Sequence, residues 1–201
     1  EPHPKLEGTI HTAAAEIDIV EATNRIVLNA IELEVTKVWL TDAAGTHIDA
    51  DAILLDEGTE RATIELTALA SVGRWTLHAT FTGLLHGKLH GFYRSTLTDT
   101  DGNDQVLATT QFEATDARRA FPCWDEPDFK AVFGETLVVD PTLAAVSNGP
   151  EVERSERPGG QVAVRLADTL VVSTYLLAFG VGPLEATAPV AVGGAPLRVC
   201  H

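Results

Sequence analysis

No methionine occurs in the 201 residues. A natural translation product starts with one, so the chain reads as processed or as excised from something longer. The closing Pro196-Leu-Arg-Val-Cys-His201 reads as a strand cut before its turn. Long apolar runs are also missing: with no stretch of 18 apolar residues, no transmembrane helix is expected. The first eight residues, Glu1 to Gly8, carry neither the basic nor the apolar region of a signal peptide. Bases are scarce, 14 Lys and Arg against 29 Asp and Glu, for a formal charge of −15. That balance argues against nucleic acid or an anionic membrane as a partner, since both require a cationic surface. It is compatible with a cationic or amine-bearing ligand, but a merely soluble acidic surface accounts for it more readily.

Only two cysteines occur, Cys123 and Cys200. They form no CxxC and fit no zinc-finger spacing. So low a content points to a reducing, cytoplasmic compartment rather than a disulfide scaffold, and a single Cys123–Cys200 bridge stays open. Motifs for autonomous chemistry are lacking as well: no HExxH, no Gly-rich phosphate loop, no Gly-x-Ser-x-Gly elbow and no Cys/His nucleophile pair. His86 and His90 stand four apart, but Gly87 and Gly91 disfavour the helix that would align them on a metal. They are expected on a loop with solvent-exposed imidazoles.

What the chain has is period-two alternation. In Arg74 to Thr82, Trp75, Leu77, Ala79 and Phe81 share one face, and Arg74, Thr76, His78, Thr80 and Thr82 share the other, as in a half-buried antiparallel strand. Arg61 to Leu66 repeats this with Ala62, Ile64 and Leu66 inward. Val162 to Leu166 does so with Val162, Val164 and Leu166 inward. Leu33 to Leu40 is rich in strand formers. Turn signals separate the runs, among them Ala43-Ala-Gly45, Asp56-Glu-Gly58, Thr100-Asp-Gly-Asn103 and Pro158-Gly-Gly160. No long amphipathic helix is present. The pattern predicts an all-β fold, a sandwich or large curved sheet, in one continuous domain over residues 1–201. The apolar run Ser173 to Gly182 reads as a strand covered on both faces or laid against another domain.

One stretch concentrates chemistry-bearing side chains, Thr109 to Lys130. Val106 to Glu113 reads as a strand, which puts Gln111 and Glu113 on one face and Phe112 on the other. A carboxylate beside an amide suits a peptide's free α-ammonium through charge-assisted hydrogen bonds. An ordinary exposed strand face would look the same. Downstream, Asp116, Arg118 and Arg119 lie across a Pro-containing turn from Asp125 and Glu126. Arg118, Asp125 and Glu126 are expected to form a structural clamp. Cys123 reads as a small buried hydrophobe.

Several ordered blocks carry a family resemblance: Gly91-Phe-Tyr-Arg-Ser95, Thr109-Thr-Gln-Phe-Glu113, Ala117-Arg-Arg-Ala-Phe-Pro-Cys-Trp-Asp-Glu-Pro127, Lys130-Ala-Val-Phe133, Ser147-Asn148 and Ser173-Thr-Tyr-Leu-Leu-Ala-Phe179. Together they closely resemble the N-terminal domain of the zinc aminopeptidase N family. The resemblance implies a saddle-shaped antiparallel β-sandwich that caps a zinc catalytic domain. It also implies that Glu113 binds the substrate α-ammonium and that Gln111 lines the first-residue pocket. The implied partners are peptides with a free N-terminus and the parent's own catalytic domain. The exopeptidase Gly-x-Met-Glu-Asn motif and the zinc ligands are absent from these residues. By the resemblance they lie C-terminal to them, and one further strand lies upstream of Glu1. No residue of this chain is therefore expected to be catalytic or to bind zinc, and the chain alone is expected to be inactive. The alternative is an interaction module of a catalytically dead relative.

Overall fold

The computed structural model describes residues 10–98 and 101–199. Six strands come first: β1 (Ile10–Ile19), β2 (Thr23–Asn29), β3 (Leu33–Asp42), β4 (His47–Asp56), β5 (Arg61–Ala70) and β6 (Gly73–Gly83). They form one antiparallel sheet in the order β1-β6-β3-β4-β5-β2. The strands β7 (Gly91–Thr98) and β8 (Asp104–Gln111) follow, then a 3-10 turn at Ala117–Arg119. Next are β9 (Lys130–Ala131), β10 (Thr136–Val139), β11 (Ala144–Ser147), β12 (Glu151–Glu156), β13 (Val162–Leu166) and β14 (Val172–Ser173). A second 3-10 turn at Thr174–Leu176 leads to β15 (Phe179–Gly182), β16 (Val190–Val192) and β17 (Ala195–Leu197). These build a four-stranded sheet, β11-β15-β8-β7, a three-stranded sheet, β10-β13-β12, and two strand pairs, β9 with β14 and β16 with β17. All pairings between these strands are antiparallel. The all-β expectation holds.

Alternation decides which face each strand buries. Trp75, Leu77, Ala79 and Phe81 of β6 are buried, as are Ala62, Ile64 and Leu66 of β5. In β3 the buried set runs Leu33, Val35, then Val38, Leu40. The phase slips by one residue because a bulge lies between Val35 and Lys37 in the pairing with β6. Further bulges interrupt β2–β5 between Thr23 and Arg25, and β4–β5 between Ala50 and Ala52. Each extra residue bends its strand and increases the local twist. β4 moreover pairs with β3 through His47 to Asp49 and with β5 only from Ala50 onward. The large sheet therefore curls around its own core, which Phe121 and Trp124 help to fill from outside it.

A second cluster gathers Phe112, Ala117, Cys123 and Leu177, and Phe121 packs against this one too. A third, Val139, Val164, Leu166 and Val181, lies where the two smaller sheets meet. The expectation for Ser173 to Gly182 needs correction. The run is not one strand: β14 ends at Ser173, a 3-10 turn intervenes, and β15 begins at Phe179. Asn148 sustains the break, with its amide donating to the Leu176 carbonyl at 2.9 Å and its Oδ1 accepting from the Ala178 N–H at 2.7 Å.

Candidate functional site

β8 ends at Gln111, one residue before the side chain that anchors the site. Phe112 is 1% exposed and meets Phe121 and Phe179 edge-on, each ring centroid 6.0 Å away. Gln111 and Glu113, on either side of it, are exposed. The Glu113 N–H donates to Gln111 Oε1 at 3.1 Å, so the amide oxygen accepts from the neighbouring main chain. The peptide between Glu113 and Ala114 is cis. The chain has left the strand by this point. The pair is held together by a buried ring and a local hydrogen bond, not by strand alternation alone.

Glu113 differs from its acidic neighbours. Its carboxylate makes no ion pair or hydrogen bond among the described residues, while Glu32, Glu60, Asp116 and Asp125 are all committed to Arg118 or Arg119. Arg118 is almost fully buried. Its Nε donates to Asp125 Oδ2 at 3.0 Å, its Nη1 to Glu60 Oε2 at 3.0 Å and its Nη2 to the Asp125 carbonyl at 3.3 Å. Arg119 Nε donates to Asp116 Oδ1 at 2.8 Å, and its Nη1 and Nη2 lie 3.2 and 3.4 Å from Glu32 and Glu60. Burial works against the Arg119 charge, but Asp116 and Glu32 outweigh it and raise its pKa. Glu32 is likewise opposed by its burial, yet Arg119 and Lys88 hold its carboxyl below the usual value.

Asp125 completes the clamp: Oδ1 accepts from Thr174 Oγ1 at 2.6 Å, and its N–H donates to Asn29 Oδ1 at 3.1 Å. Asn29 and Cys123 exchange backbone hydrogen bonds of 2.7 and 3.1 Å, which staples the segment to the edge of the large sheet. Arg118 and Asp125 thus form an ion pair. Glu126 does not join them: its side chain is exposed and forms no ion pair among the described residues. The one-residue step from buried Asp125 turns it outward. Glu60 takes the place expected for Glu126. Glu60, Glu32, Asn29 and Thr174 escape sequence reasoning because their partners lie 49 to 96 positions away.

The histidine expectation is also revised. Among its partners His86 Nε2 lies 3.2 Å from Glu32 Oε2, and His90 Nδ1 is 3.6 Å from Asp116 Oδ1, with side chains only 20% and 31% exposed. Both are half-buried beside the acidic and arginine side chains instead of standing in solvent, and His90 Nδ1 is buried without a hydrogen-bond partner among the described residues. Cys123 is a free, buried thiol whose pKa burial pushes well up, so the reactive thiolate is disfavoured. Cys200 lies outside the described residues. Among the described residues no group of three or more His, Cys, Asp or Glu is arranged to hold a metal ion.

The profile of the Peptidase M1 N-terminal domain matches residues 3–176. The chain belongs to that family. Similar relatives include Aminopeptidase M1-A of Oryza sativa subsp. japonica, 38% identical over 210 residues that cover 98% of this chain and 23% of the relative. Puromycin-sensitive aminopeptidase of Caenorhabditis elegans is 37% identical over 190 residues, 93% of this chain and 20% of the relative. Endoplasmic reticulum aminopeptidase 1 of Homo sapiens is 33% identical over 191 residues, 94% and 20%. The chain thus spans less than a quarter of the length of these curated relatives. As an M1 N-terminal domain it is a β-rich segment similar to part of proteins named as aminopeptidases. No helix among the described residues is long and apolar enough to cross a membrane.

Proposed function

We propose that this M1 N-terminal domain positions substrate in a longer zinc aminopeptidase that removes single residues from peptide N-termini. Glu113 pairs with the substrate α-ammonium, and Gln111 lines the first-residue pocket beside it. The observation that carries this is the uncommitted Glu113 carboxylate, exposed next to Gln111, while Glu32, Glu60, Asp116 and Asp125 are paired with Arg118 or Arg119. An unpaired carboxylate beside an amide offers acceptors to an ammonium ion, and such charge-assisted bonds are the strong ones. An internal peptide bond presents no ammonium, so the pairing selects the chain end and sets which bond reaches the reacting centre.

The family resemblance implies zinc, which polarises the scissile carbonyl and activates water in such enzymes. The described residues supply no ligand set for it, so no step of bond cleavage is assigned to this chain. Phe121 packs against two of the core clusters, which supports residues 1–201 as one domain. The exposed apolar side chains around the β9–β14 pair, Phe129, Val132, Leu170 and Val171, are offered to the catalytic domain.

In the full-length enzyme, Glu113→Ala lowers kcat/KM about ten- to a hundredfold, chiefly through KM, as expected for loss of a hydrogen bond between charged groups. Steady-state kinetics on an aminoacyl-anilide check this, and wild-type constants would remove Glu113 from the site. The purified 201-residue chain turns over no aminoacyl-anilide; activity that co-purifies with it through successive columns would contradict its assignment as a positioning domain alone.

A further inference from the structure

Among the described residues, two other than glycine sit in the left-handed backbone region, Glu32 at φ 58° and Glu60 at φ 54°. That conformation disfavours side chains with a Cβ, and glycine or asparagine is the usual occupant. Both are glutamates, both lie in turns of the large sheet, and their carboxylates converge on consecutive arginines. Glu60 bridges the pair, with Oε2 3.0 Å from Arg118 Nη1 and Oε1 3.4 Å from Arg119 Nη2. Glu32 Oε2 lies 3.2 Å from Arg119 Nη1. Main-chain bonds join the turns to each other and to the same segment: the Ala30 N–H donates to the Glu60 carbonyl at 3.0 Å, and the Ile31 N–H to the Arg118 carbonyl at 3.2 Å.

Arg119 then reaches the candidate substrate site from two sides. Through Asp116 it holds the turn that follows Glu113, because the Asp116 N–H donates to the Phe112 carbonyl at 2.9 Å. Through its aliphatic stem it lies against Gly91, where an added Cβ would stand 2.7 Å from Arg119 Cβ. Gly91 is the register partner of Gln111. One side chain therefore touches the support of both site residues, and the two strained glutamates set its position.

We propose that Glu32 and Glu60 are positioning residues for the Gln111–Glu113 site, acting through Arg118 and Arg119. This rests on the reading of Gln111 and Glu113 as the ammonium site. The backbone conformation supplies a way to separate positioning from stability. Asparagine accepts the left-handed region better than glutamate but removes the charged bridge, so Glu60→Asn and Glu32→Asn relieve backbone strain while releasing Arg119. Glycine at the same positions does so with no side chain at all.

The test measures KM and kcat for an aminoacyl-anilide, together with Tm, on the full-length enzyme. The variants are Glu60→Asn, Glu60→Gly and Glu32→Asn, with Glu113→Ala alongside and combined with Glu60→Asn. The expected result is a KM raised about three- to tenfold with kcat little changed and Tm kept, the size of coupling seen between packed, hydrogen-bonded neighbours. In the Glu113→Ala background, Glu60→Asn adds nothing further to KM. Wild-type KM in the Glu60 and Glu32 variants, with KM raised in Glu113→Ala, overturns the positioning role and leaves the ammonium site standing. A KM rise matched by a fall in Tm in every variant, glycine included, also overturns it and assigns the glutamates to stability. Wild-type KM in Glu113→Ala removes the ammonium site and with it the positioning role.

Discussion

Glu135 shows how a single residue tunes this protein without taking part in its site. Its Oε2 accepts a hydrogen bond from Ser147 Oγ, while its Oε1 is buried without a hydrogen-bond partner among the described residues. Burial pushes its pKa up, and the opposing pulls of Ser147 and Arg165 do not cancel that. The folded state therefore holds this proton more tightly than the unfolded chain does. Its contribution is fully present below the ordinary glutamate value, near 4.5, and is lost as pH rises through the raised folded value. Glu135→Gln keeps the shape without the charge. It should raise Tm at neutral pH and flatten the fall of Tm between mildly acidic and neutral pH. Thermal melts across that range check it, and a lower Tm at neutral pH would contradict it.

At the scale of elements, the segment from Ala117 to Pro127 joins the curled sheet to the smaller sheets, and its clamp is Arg118–Asp125. Removing one partner of a buried pair strands the other charge, so Asp125→Ala should cost about 3–5 kcal/mol. The exposed Glu126→Ala should change stability by no more than about 0.5 kcal/mol. Urea unfolding of the two variants separates them, and equal losses would restore Glu126 to the clamp. Strands with clean alternation, such as β5 and β6, were legible in the sequence because one buried face imposes period two. β3 was legible as a strand but not in phase, since a bulge leaves no mark in composition. Ser173 to Gly182 misled because a continuous apolar run carries no period to reveal its break at the 3-10 turn. Gln111, Phe112 and Glu113 were legible as a local pattern. The turn glutamates were not, since an ion pair closed over some 58 residues has no signature in either partner's neighbourhood.

On the scale of the whole molecule, the 201 residues carry a net charge of −15, which keeps an acidic surface in solution. The large sheet works as a scaffold: it brings the turns of Glu32 and Glu60 onto the segment after β8, so a wide apolar core supports one small exposed pair of side chains. Recognition of an ammonium ion by that pair is the central claim. It is tested most directly in the full-length enzyme by comparing an aminoacyl-anilide with its des-amino analogue, in wild type and in Glu113→Ala. Wild type should favour the amine-bearing substrate by at least about a hundredfold in kcat/KM, since a site built to bond a polar group rejects the analogue that lacks it. Glu113→Ala should lose most of that preference by slowing the amine-bearing substrate alone. An undiminished preference in the variant would contradict the account.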